Sequence, residues 1–111
     1  MPRLITSPVK RWPGTVTLSD PITLPQYIAW CDAIDDSNRV KQNGSSSGPR
    51  RLLAAVGGAL ACIEDWQIEG LPRPTAETWP MKPRAACIEL ANWLFGEVAR
   101  AMDDEETIPN G

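Results

Sequence analysis

Thr15, Val16, Thr17 and Leu18 alternate polar and apolar, the period of a strand with one face in a core and the other in water. Leu4-Ile5 or Val9, across the Pro8 region, could pair with it as a hairpin, and a two-stranded hairpin is only marginally stable alone. The strand, about 14–19, therefore has to lean on another element. After Asp20-Pro21 the period changes. Thr23 followed three residues later by Gln26 is a capping-box pattern, Ile22 and Tyr27 are spaced to meet as a hydrophobic staple, and Pro25 falls in the first turn, where its missing N–H is harmless. Tyr27, Trp30, Cys31 and Ile34 then repeat at i, i+3, i+4 and i+7, which predicts a helix over about 24–41. The run strand, corner, helix fixes an angle between two elements.

Residues 42–48, QNGSSSG, have the composition of a flexible loop. Pro49 suits the first position of a second helix, whose stripe would be Leu52, Val56, Ala59, Leu60, Ile63 and Trp66, with Gly70 as its stop. This predicts a helix over about 49–69. LPRPTAETWP, residues 71–80, is a proline-rich connector in which Thr75 could cap a single turn and Trp79 pins the segment to the body. Pro83 opens a third helix to about residue 102, with Cys87, Leu90, Ala91, Leu94 and Val98 inward. The expected fold is mainly α: one domain, 1–102, in which a three-helix bundle carries a short N-terminal strand or hairpin. Residues 103–111, opening with Asp103, Asp104, Glu105 and Glu106, are expected to form a disordered acidic tail.

Composition narrows the function without changing this outline. The chain has 111 residues, 42% hydrophobic and 23% charged, ordinary for a folded single domain. Its net charge of −3 is uneven: residues 1–51 hold seven Lys/Arg against four Asp/Glu, and residues 52–111 four against ten. The only adjacent basic pairs are Lys10-Arg11 and Arg50-Arg51, too few for a nucleic-acid footprint. No segment approaches a membrane span or a signal peptide, so a cytoplasmic protein is expected. Cys31, Cys62 and Cys87 are odd in number, lie in apolar runs and form no CxxC pair, so they read as small buried hydrophobes.

Zero histidines removes the commonest general base and the commonest metal ligand. Asp32, Asp35 and Asp36 with Glu64, Asp65 and Glu69 are the remaining acids that could hold magnesium between helices, but on a 3.6-residue period most point away from the apolar stripes, as a solvated face does. No cofactor, metal or catalytic residue is expected. Two other features ask for a reason. Gly57-Gly58 inside a helix costs about 1 kcal/mol per glycine relative to alanine, and with Ala54 and Ala61 it makes a smooth surface, either for close packing or for a partner. Trp93 falls off the stripe of the third helix, so it is either covered by the connector or left open as a contact anchor.

The phrases DPITLPQYIAW entering the first helix, CIEDWQIEGLP ending the second, KPRAACIEL opening the third, and the acidic end together make the chain resemble the small tail assembly chaperones of long-tailed phages and prophages. The similarity spans about 12–102. It implies a mostly helical, non-enzymatic helper that oligomerises and coats the long apolar tape measure protein while tail tube subunits assemble around it. No site motif aligns, so the contact candidates come from the residues alone: Val16 and Leu18 on the strand, Gly57 and Gly58, Trp79 and Trp93. The rival expectation is a structural connector or tail subunit in the virion, pairing its strand with a neighbour's sheet edge.

Overall fold

The computed structural model describes residues 3–42, 48–75 and 77–106. Strand β1 (Arg3–Thr6) pairs antiparallel with β2 (Gly14–Leu18), Ile5 opposite Val16 and Thr6 opposite Thr15, so the N-terminal hairpin forms. Ser7 N–H donates to the Gly14 carbonyl at 2.9 Å, closing the ladder at the loop end. Gly14 has φ +139, and a Cβ there would run into the Gln67 carbonyl oxygen of the adjoining strand, so the start of β2 requires glycine. Ile5, Val16 and Leu18 are buried on the inner face, and Leu4, Thr6, Thr15 and Thr17 lie on the outer.

What the hairpin leans on corrects the expected fold class. The fold is mixed α/β, with three helices and a three-stranded antiparallel sheet among the described residues, and not a three-helix bundle. The region expected as one helix over 49–69 divides into α2 (Gly48–Leu60) and a third strand, β3 (Ile63–Ile68). The order is β1-β2-β3, so β2 is the central strand. The register explains the error. Val16 faces Trp66 and Thr17 faces Asp65, but Leu18 faces Ile63, leaving Glu64 without an opposite residue in a β-bulge. The extra residue puts Ile63 and Trp66 on one face at a spacing of three, which imitates the i, i+3 repeat of a helix. As a helix, Ile68 would stand about 140° from Ile63; as a bulged strand, both are buried, at 7% and 6% exposure. That burial favours the strand by about 1.5–3 kcal/mol for the second isoleucine alone, and pairing also satisfies the second edge of β2.

No local signal stops α2 at Leu60, because its end is capped from a distance. Arg73 donates to the carbonyls of Leu60 and Ile63 at 3.2 and 3.3 Å, and Gln26 Nε2 donates to the Ala61 carbonyl at 3.3 Å. Gly70, expected as the helix stop, instead has φ +80 in the turn after β3.

Helix α1 (Leu24–Gln42) begins as its sequence indicates. Thr23 N–H donates to Gln26 Oε1 at 2.8 Å and Gln26 N–H to Thr23 Oγ1 at 3.4 Å, the reciprocal capping box. Gln26 also donates to Ser19 Oγ at 2.7 Å, so one side chain ties the end of β2, the first turn of α1 and the turn after α2. Helix α3 (Arg84–Glu106) buries Cys87, Leu90, Ala91, Leu94 and Val98 as expected, and Ala101 and Met102 besides. It continues four residues beyond the expected end at 102, so Asp103 to Glu106 are helical rather than tail; the rest of the expected tail, 107–111, lies outside the described residues. Most of the expected 42–48 loop also lies outside them, with Gln42 ending α1 and Gly48 opening α2. Trp30 stacks on Phe95 with ring centroids 4.9 Å apart, joining α1 to α3. Among the described residues no helix is long and apolar enough to cross a membrane.

Candidate protein-interaction groove

Helix α2, the connector after β3 and the first turns of α3 line one apolar groove. Leu52, Leu53 and Val56 supply one wall, Cys87, Ile88 and Ala91 the other, and Trp79, Pro80 and Met81 the closure, around a groove of about 400 Å³. Each wall follows from local sequence. Leu52, Leu53 and Val56 recur at helical spacing on α2, and Ile88 widens the apolar arc of α3 beyond what its buried stripe needs. Thr75 and Thr78 exchange backbone-to-hydroxyl hydrogen bonds at 2.8 and 3.1 Å, forming the expected single turn in the connector. The next residue, Trp79, donates Nε1–H to the Cys87 carbonyl at 3.1 Å, which satisfies its polar edge while its ring lines the groove. Among the described residues Arg84 is the only charged side chain in the lining.

The groove is open to solvent. Met81 is 71% exposed and Leu53 38%, more than a residue dedicated to this chain's own core would show. A second exposed apolar strip, Leu24, Tyr27 and Ile28, runs along the start of α1.

The six contact candidates separate. Trp79 is part of the groove. Val16 and Leu18 are fully buried on the central strand, facing this chain's own core, so their side chains offer nothing to a partner. Gly58 is buried beneath α1, where an added Cβ would stand 2.6 Å from Ala33 Cβ and 3.0 Å from Trp30 Cα; its smoothness serves the α1–α2 crossing. Gly57 beside it is half-buried. Trp93 is half-buried against the core and does not line the groove. Leu53, Met81 and Ile88, which do, are not among the contact candidates that the sequence offers. The available signal was surplus: both helices carry more apolar residues than one inward stripe requires.

The acidic residues do not converge. Asp32, Asp35, Asp36, Glu64, Asp65 and Glu69 are all exposed, and among the described residues no group of three or more acids or thiols could hold a metal ion. The three cysteines are free thiols. Burial pushes the Cys87 thiol above its usual pKa, with the Arg11 cation opposing the shift. No family model, curated protein or solved structure matches this chain.

Proposed function

We propose that the protein is a non-enzymatic chaperone that holds an apolar helical segment of a longer protein in the groove between α2 and α3. The observation that carries this reading is an open apolar groove walled by two helices and rimmed by large hydrophobic residues that no other described residue covers. In its specific form the reading is a phage tail assembly chaperone acting in the host cytoplasm, with the tape measure protein as the held segment, the tail tube protein nearby, and self-association. That form rests on the sequence resemblance. The three-stranded sheet departs from the mostly helical architecture which the resemblance implies, so the groove is the stronger support.

The edge position of β1 favours a second reading, a structural connector or tail subunit that adds a neighbour's strand to its sheet. Mass spectrometry of purified particles separates the two, because a subunit stays in the virion and a chaperone leaves it.

The groove is tested by co-expression with a tape measure protein of a long-tailed phage. The wild-type chain should hold that protein in the soluble fraction and co-elute with it, and Leu53→Asp with Met81→Asp should abolish capture. Both residues are exposed, so circular dichroism should show an unchanged fold. Capture that survives both substitutions would refute the groove as the binding site.

A further inference from the structure

Among the described residues, the charge that lines the groove is opposite in sign to the charge of the whole chain. The protein carries −3 overall, yet no described carboxylate lines the groove, and Arg84 does. Lys82 lies in the chain between two lining residues, Met81 and Arg84, and is exposed like Arg84. Neither makes an ion pair with any described residue, so both charges face solvent at the groove's end. Arg84 is also the first residue of a 23-residue helix, whose N-terminal N–H groups add partial positive charge at the same place.

From this complementarity we infer that the occupant is an amphipathic helix whose apolar stripe is bordered at one end by Asp or Glu, docked with that acidic end on Lys82 and Arg84. The inference rests on the groove being a polypeptide-binding site and names which polypeptides it accepts. Apolar contact along Leu52, Leu53 and Ile88 supplies affinity without direction, because an apolar stripe fits a groove in either polarity. The cations at one end supply direction and selection: a helix with lysines at that end brings like charges together, and one with glutamates pairs them.

The test uses two synthetic helices of roughly 18 residues, about five turns. They share a leucine stripe at i, i+3, i+4 and i+7 and differ only in carrying three glutamates or three lysines beside one end of it. Binding of each labelled peptide to the full chain is read by fluorescence anisotropy. The glutamate peptide should bind about tenfold tighter, the sum expected of two exposed charge pairs. That preference should vanish in about 1 M salt, where the Debye length is about 3 Å. It should reverse in the variant Lys82→Glu with Arg84→Glu, whose exposed positions leave the fold intact. Equal binding of both peptides at low salt, or a preference unchanged in the double variant, would overturn the charge selection while leaving the groove in place. Failure of both peptides to bind would overturn it together with the groove reading.

Discussion

Adding one methyl group at residue 58 should destabilise the protein, against the usual effect of replacing a helical glycine. In an open helix interior Gly→Ala gains about 1 kcal/mol, because alanine loses less backbone entropy on folding. At Gly58 the new Cβ would stand 2.6 Å from Ala33 Cβ and 3.0 Å from Trp30 Cα, below any normal carbon–carbon contact. The second of these is backbone, so rotamer changes cannot relieve it; α1 must move off α2. Overpacking of this kind costs about 1–3 kcal/mol. With the propensity gain set against it, the net expectation is a loss of about 1 kcal/mol, or roughly 4 °C of Tm in a domain of this size. Gly96, also mid-helix, has nothing within 4 Å of an added Cβ, so Gly96→Ala is the internal control and should gain up to about 1 kcal/mol. Urea titrations followed by tryptophan fluorescence and by far-ultraviolet circular dichroism would give both values. Adding Ala33→Gly to Gly58→Ala should return part of the loss, since the two positions share one contact. If Gly58→Ala stabilises the chain as much as Gly96→Ala, the close α1–α2 crossing is wrong.

Two further outcomes follow from particular contacts. Gln26→Ala should cost about 1–2 kcal/mol in the same titrations, since it removes the side-chain half of the capping box and the donations to Ser19 and Ala61. Gln26→Glu keeps the acceptor for Thr23 N–H but loses both donations, so an intermediate loss would separate cap from tie, and equal losses would deny the cap any role. For the thiols, dithionitrobenzoate at mildly alkaline pH should label half-buried Cys31 first, with buried Cys62 and Cys87 reacting only on unfolding. Because burial raises the Cys87 pKa in the folded state, the native chain holds that proton to higher pH than the unfolded one. The associated stability is complete below the unfolded thiol pKa of about 8.5 and falls as pH rises through and above it. Cys87→Ala should flatten that alkaline decline, and an unchanged slope would assign it to other groups.

The groove and the core divide the apolar residues in a way that residue type alone does not show. Val16 and Leu53 are equally plausible contact residues as letters, but the first is fully buried on the middle strand and the second is 38% exposed on a wall of the groove. Trp79 reached the groove because its indole N–H found the Cys87 carbonyl, an interaction between segments eight residues apart. Trp93 has no such placement and rests against the core.

Sequence by itself determined what depends on neighbours a few residues away. The period of two in Thr15 to Leu18, the Thr23–Gln26 cap, the inward stripe of α3 and the Thr75 turn are local matters of backbone geometry and short-range hydrogen bonding, and each stands where the residues indicate. Tertiary structure decided the rest. The segment 63–68 carries a spacing compatible with helix or bulged strand, and the central strand β2, some 50 residues earlier, selects the strand by offering an unpaired edge and an apolar face. The end of α2 is set by Gln26 and Arg73, which arrive from either side in sequence. The groove exists only where α2, the connector and α3 meet and fail to close. Local rules fix elements because their energies are local; which elements pair, and what is left uncovered between them, depends on burial and hydrogen bonds between residues far apart in the chain.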